Sequence, residues 1–259
     1  MLLDGKVAIV SGIGPGMGRD IALLFAEHGA DLVLGARTPA SCEAVAAEVR
    51  ALGRRAEVVS LDITDPAVCQ AAAAAALDAF GGIDVLVNNA FHDGNHRTFE
   101  RSTLEEWKAT MDVNLWGTLQ MTDAVVPAMI ERGGGRIVMI NSMSTHRIQP
   151  RYGAYATSKG ALETAAKALA TELGTHGIRV NSVFPGYIWG DKVEAYFAHL
   201  AEREGITPDD YYRQVADETA LKYLPHSREI AGSVLFFASD LSAPVTGQGL
   251  DVNAGHWIA

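Results

Sequence analysis

Six short runs rich in Val, Ile and Leu recur along the chain: VAIV at 7–10, DLVLGA at 31–36, AEVVSL at 56–61, IDVLVNN at 83–89, GRIVMI at 135–140 and IRVNSVF at 178–184. Each has the length of a strand and none alternates apolar with polar residues, so each reads as a strand buried on both faces. Between them lie Ala- and Leu-rich stretches with helical spacing at 17–28, 40–52, 66–80, 104–131 and 154–176, followed by a last helix at 227–238 and a short strand near 249–252. Parallel strands need crossover connections, which helices supply. The expected fold is therefore α/β: a single-domain, doubly wound, seven-stranded parallel sheet with helices on both faces. Gly29 and Gly53 stand where helices should stop, and Pro39 and Pro66 near where they should start. The six alanines at 71–76 read as ordinary helix, since Ala is the best helix former and a small face packs closely on a sheet.

One hydrophobic core can serve 259 residues, and with 48% hydrophobic and 20% charged residues neither disorder nor a fibrous architecture has support. The 21 basic against 31 acidic residues give a net charge of −10, a field that repels phosphate backbones, so nucleic acid is not an expected partner. No apolar run approaches the ~20 residues of a membrane-spanning helix, and no membrane partner is expected. Cys42 and Cys69 lack metal-binding spacing, no His/Asp/Glu grouping suggests a metal, and the start MLLDGKVAIV is unlike a secretory leader. A reduced, cytoplasmic protein is the expectation.

One segment breaks the alternation. From 187 to 224 the chain carries two short amphipathic patterns separated by Gly205 and Pro208. An insertion of that length after a strand is expected to be a substrate lid.

Two motifs carry chemistry. The first strand runs into Ser11-Gly12-Ile13-Gly14-Pro15-Gly16-Met17-Gly18 and then a helix. Glycines there let the backbone approach a ligand, and the helix amino terminus offers unpaired N–H groups to a phosphate. The spacing GxxxGxG differs from the commoner GxGxxG dinucleotide fingerprint, and a glycine-rich tight turn is its alternative reading. Further on, Tyr155-Ala156-Thr157-Ser158-Lys159 places Tyr and Lys on one helix face. A nearby ammonium pulls a phenol down from ~10 toward the range useful for proton transfer. The alternative is a helix that happens to carry both residue types.

Taken in order, SGIGPGMG at 11–18, Asp62, NNA at 88–90, Asn114, Ser142, YATSK at 155–159 and Pro185-Gly186 resemble the short-chain dehydrogenase/reductase family over essentially the whole chain. The resemblance implies a Rossmann-type NAD(P)-dependent oxidoreductase that interconverts a ketone and a secondary alcohol. It implies that Tyr155 is the general acid/base, that Lys159 lowers its pKa and holds the nicotinamide ribose, and that Ser142 binds the substrate oxygen. Asn114 would hold a water linking Lys159 to solvent. Gly12, Gly14, Gly16, Met17 and Gly18 would wrap the pyrophosphate, Asp62 and the backbone of Ile63 would meet the adenine, and Asn89 and Ile188 would line the nucleotide site. Tyr155 and Lys159 also belong to the cofactor set. A homotetramer or homodimer is implied, with a small-molecule carbonyl or alcohol as substrate. Steroid-like, acyl-linked, sugar and small xenobiotic carbonyls all fit.

Three positions depart from the family pattern: Phe91 where a Gly usually closes NNAG, Pro15 at a loop position often basic in NADP-dependent members, and Gly190 in place of the Thr of PGxxxT. At the end of the second strand Ala36 stands where selective NAD binders place a carboxylate, and Arg37 follows. A guanidinium there favours a 2′-phosphate, so NADP(H) is the expected cofactor, with NAD(H) as the second. His92 and His146 lie near the motifs and read as loop residues. The aromatics Phe91, Tyr187, Trp189, Tyr196, Phe197, Tyr211, Tyr212 and Tyr223 suggest a pocket wall, or equally a buried core. Rival functions are a catalytically silent dinucleotide-binding sensor or interaction protein, which the intact Ser142, Tyr155, Lys159 and Asn114 set argues against, and a methyltransferase, for which YxxxK has no use.

Overall fold

The computed structural model describes residues 1–258. Seven strands, β1 (Val7–Ser11), β2 (Asp31–Ala36), β3 (Ala56–Ser60), β4 (Val85–Asn88), β5 (Gly135–Ile140), β6 (Ile178–Pro185) and β7 (Gly249–Val252), form one sheet in the order β3-β2-β1-β4-β5-β6-β7. Every pairing is parallel. Alternate residues feed two cores. Ala8 and Val10 of β1 join Ile21 and Phe25 of helix α1 (Met17–Glu27), Val45 of α2 (Pro39–Ala51) and Val234 of α9 (Ser227–Ala238). Ile9 between them faces the opposite core, with Ala72 and Ala76 of α3 (Pro66–Phe80), Val125 of α5 (Thr118–Glu131) and Leu162 of α6 (Gly153–Leu173). The alanine run thus packs as helix, with Pro66 in its first turn and Asp65 capping it through the N–H groups of Ala67 and Val68.

Three expectations need correction. The third strand is not buried on both faces: only Ala56 of β3 is buried, because β3 is a sheet edge. The helix expected over 104–131 is broken into α4 (Leu104–Met111), one wide π turn over 112–117, and α5. Such turns carry a local insertion in the helical ladder and cluster at functional sites. The helix expected to run to residue 176 ends as α-helix at Leu173 and finishes in a tighter turn.

The sheet order reverses between β1 and β4, so β1 is flanked by strands whose crossover helices pack on opposite faces. A crevice opens beyond the carboxyl ends of strands at such a switch point. The segment 187–224 forms two helices, α7 (Asp191–Glu204) and α8 (Pro208–Asp217), of which α7 borders that crevice. No helix among the described residues is long and apolar enough to cross a membrane.

Candidate active site

Beyond the strand ends lies one cleft of about 1340 Å³, bounded by the glycine loop, the ends of β4 to β6 and α7. Gly12, Gly14, Gly16, Met17 and Gly18 all border it. Gly12 has φ +99° and passes so close to Ala90 that a Cβ would collide with backbone. Asn89 fixes this approach by donating from Nδ2 to the Gly12 carbonyl at 2.6 Å, and Gly18 leaves room for both. Gly14 and Gly16 differ: a Cβ on either would meet nothing within 4 Å, and no side chain caps the first turn of α1. Those open positions beside uncapped N–H groups fit a diphosphate.

On the adenosine side, Arg37, Asp62 and Ile63 border the cleft. Ile63 is buried, and its carbonyl accepts from Cys69 Sγ at 3.6 Å. Asp62 accepts from the N–H and hydroxyl of Thr64 at 3.0 and 2.7 Å, which, with Arg37 nearby, holds its carboxyl below the usual range. Arg37 is exposed at the end of β2. Arg19, a second cation near the loop, is tied to Glu48 on α2.

Tyr155 sits in the first turn of α6 and borders the cleft together with Ser142, which follows β5. Ser142 accepts from the Ser144 N–H at 3.1 Å and from the Ser144 hydroxyl at 2.9 Å. Phe91 and Tyr152 flank the Tyr155 ring edge-on, each at 6.5 Å between centroids. One turn along α6, Lys159 is 2% exposed, and its Nζ lies 5.8 Å from the Tyr155 ring centroid. That ammonium donates to the Ile140 carbonyl at 2.6 Å.

The expected depression of the Tyr155 pKa is not found. Burial pushes the phenol up to about 12, opposed by the neighbouring Ser142 hydroxyl and helped by the charge of Asp93, while burial brings Lys159 down to about 7. Asn114 is fully buried in the π turn, where its Oδ1 accepts from His92 N at 2.7 Å and its Nδ2 donates to His92 O at 2.8 Å and to Ser158 Oγ at 2.9 Å. Its amide therefore pins the β4 exit loop to α6.

Ile188 borders the cleft beyond β6. His92 also borders it, whereas His146 stacks on Phe184 at 4.8 Å and points to Glu163 and Asp251 at 3.6 and 3.4 Å. Most insertion aromatics form that segment's own core: Phe197, 1% exposed, meets Tyr187, Trp189 and Tyr211 at 5.4, 5.7 and 5.0 Å, and Trp189 meets Tyr212 at 4.4 Å. Tyr187 and Tyr196 in addition reach the cleft. Tyr152 was missed as a wall residue, although its position three residues before Tyr155 places it on the same helix side. Tyr152 and Gln149 both line the cleft. Among the described residues no group of three metal-ligating side chains converges.

Residues 12–256 match a family model described as enoyl-(acyl carrier protein) reductase. Galactitol 2-dehydrogenase of Agrobacterium fabrum is 34% identical over an alignment of 265 positions that spans all of both chains. A short-chain type dehydrogenase/reductase from Mycobacterium marinum superposes with a TM-score of 0.85 at 31% identity, covering 98% of this chain and 96% of its own. L-sorbose reductase from Gluconobacter frateurii, solved with NADPH and L-sorbose, superposes with a TM-score of 0.93 at 30% identity, covering 99% and 98%.

Proposed function

The chain belongs to the short-chain dehydrogenase/reductase family, and from that premise we propose that it interconverts a secondary alcohol and a ketone with Tyr155 as general acid/base. The observation that carries this reading is that Tyr155 and Ser142 border the large cleft together, with the buried Lys159 one turn along α6. When bound, a nicotinamide dinucleotide supplies or accepts the hydride. Gly14 and Gly16, with the first turn of α1, would hold its diphosphate. Ser142 and Tyr155 would bind the substrate oxygen together, and Tyr155 would deliver its proton to that oxygen in reduction or take it in oxidation. Lys159 would leave the Ile140 carbonyl for a ribose hydroxyl, bringing its charge to bear on the phenol. Asn114 acts through the loop it pins, as a positioning residue.

A phenol held at about 12 is an acid at neutral pH and not a base. Reduction therefore has its proton donor in place from acid to neutral pH, while oxidation needs the phenolate and gains with rising pH. Galactitol and L-sorbose, acted on or bound by the relatives, make polyols and ketoses the first substrates to try. A panel of ketones and alcohols, followed by nicotinamide absorbance with both cofactors, tests the reading. Binding of cofactor without turnover of any member would favour a silent dinucleotide-binding protein.

Cofactor choice rests on Arg37. With no carboxylate at Ala36 to repel a 2′-phosphate, the guanidinium would pair with one, a charge-assisted contact worth on the order of 1.5–3 kcal/mol, or roughly ten- to a hundredfold in affinity. NADPH is expected to bind that much more tightly than NADH, and Arg37→Ala to remove most of the difference. Equal dissociation constants in the parent would exclude the assignment.

The segment 187–224 would act as a lid. Its aromatic core makes it a folded unit that moves as a body, held at one end where Arg147 donates to Glu218 at 2.6 Å. Amide exchange in α7 and α8 is expected to be faster than in β1 and β4 without ligand and to slow with cofactor plus substrate. Protection equal to the sheet in the free protein would rule out a lid.

A further inference from the structure

We propose that the outer mouth of the cleft is a subsite for an anionic group, a phosphate or a carboxylate, carried by the substrate away from its reacting carbon; this rests on the oxidoreductase reading above. The chain as a whole has a net charge of −10, yet α7 turns cations toward the cleft. Lys192, Tyr196, His199 and Arg203 all border it, and their spacing of four, three and four residues puts them on one helix face, about 16 Å from end to end. Glu194, Glu202 and Glu204 do not border it. Asp191 does, at the helix start, where a carboxylate complements the N-terminal partial charge.

Charges on an exposed helix commonly neutralise one another at i,i+3 or i,i+4. Here that pairing is out of register for Lys192 and Arg203, while His199 has Glu202 three residues on. The residues three and four from Arg203 are His199, Leu200, Ile206 and Thr207, and those from Lys192 are Ile188, Trp189, Ala195 and Tyr196. The ion pairs of this segment among the described residues engage other side chains, joining Arg213 to Asp210 and both Arg147 and His256 to Glu218.

The facing rim adds an independent observation. His96 and Arg151 are non-glycine residues held at φ 51° and 76°, both border the cleft, and Arg151 Nε donates to the His96 carbonyl at 2.7 Å. Backbone strain of this kind costs roughly 1–3 kcal/mol and is found at ligand clamps. His96 packs edge-on against Tyr152 at 4.8 Å, and Tyr152 and Tyr196 of α7 both border the cleft, so both rims line one opening. Asp93, 3.6 Å from His96 Nε2, is the carboxylate on that side. The dinucleotide loop lies elsewhere: Trp189, just before α7, pairs with His226, whose neighbour Ser227 bonds Asp20 of α1, and Arg203 is at the far end of the helix. The basic side chains beyond Tyr196 are therefore placed for the substrate.

The test uses matched pairs with NADPH saturating: fructose against fructose 6-phosphate, and the methyl ester of 4-oxocyclohexanecarboxylic acid against its free carboxylate. The charged member of at least one pair is expected to show kcat/KM roughly tenfold or more higher, expressed in KM, with the advantage shrinking as salt rises. In the double variant His199→Gln, Arg203→Gln the ratio within that pair should fall to near one. Retained circular dichroism and NADPH affinity would show that the variant is folded. Equal kcat/KM within both pairs, or a preference that survives the double variant, overturns the subsite while leaving the oxidoreductase reading intact. Reduction of neither member of either pair, while other ketones turn over, also overturns it. Failure of every ketone and alcohol defeats the underlying reading instead.

Discussion

Replacing Tyr155 with phenylalanine is expected to lower kcat by about 10²- to 10⁴-fold, the range for removing a positioned acid/base, while leaving the dissociation constant of NADPH within a few-fold of the parent. The ring keeps its edge contacts with Phe91 and Tyr152 at 6.5 Å, so the cleft floor keeps its shape. Only the hydroxyl is lost from the cleft that Tyr155 and Ser142 border. Because the missing group acts on the proton and not on binding, the loss should appear in kcat and kcat/KM equally. Steady-state rates on the best ketone of the panel, with cofactor affinity measured separately by fluorescence, decide it. Turnover near the parent rate would remove Tyr155 from the mechanism.

Lys159→Ala should damage two quantities at once. Lys159 is buried beneath Tyr155 and bonds the Ile140 carbonyl in the cofactor-free protein. Its removal takes away the cation that would face the phenol and the donor that would hold a ribose hydroxyl. A fall of about 10²-fold or more in kcat together with a rise of roughly tenfold in the cofactor dissociation constant is expected. Stability should move the other way in part of the pH range. A lysine brought down from 10.5 to about 7 binds fewer protons folded than unfolded between those values, so its contribution is present above 10.5 and lost as pH falls through about 7. The cofactor-free variant should therefore gain melting temperature relative to the parent at pH 6, with the gap narrowing toward pH 10. A pH-independent difference would mean that the ammonium is not desolvated in the free enzyme.

Strand and helix alternation made the sheet, its layers and the crevice legible from the chain, because a parallel strand buried on both faces leaves no other pattern open. Edges were less legible: β3 carries the same apolar composition as a central strand, and only its lack of an outer neighbour exposes it. The π turn at 112–117 was hidden, since DVNLWG fits α-helical spacing, and the wide turn arises where Asn114 is drawn to the His92 backbone in a loop distant in sequence. Motif order placed Tyr155, Ser142 and Lys159 together. It did not reveal the protonation energetics, which depend on how deeply α6 buries both groups. The insertion aromatics were ambiguous because a ring in a wall and a ring in a core have the same sequence signature. Phe197 went to the core, and Tyr196, its neighbour on α7, to the wall.

The proposed reaction is tested most directly by following the hydride itself. The parent enzyme is given NADPH deuterated at the transferable C4 position, and a ketone it reduces. The alcohol product, analysed by mass spectrometry and NMR, is predicted to carry one deuterium on the carbinol carbon, from one face of that carbon, with none incorporated from deuterated water at that position. A product without label at the carbinol carbon, or labelled there by solvent, would contradict hydride transfer from the cofactor in this cleft.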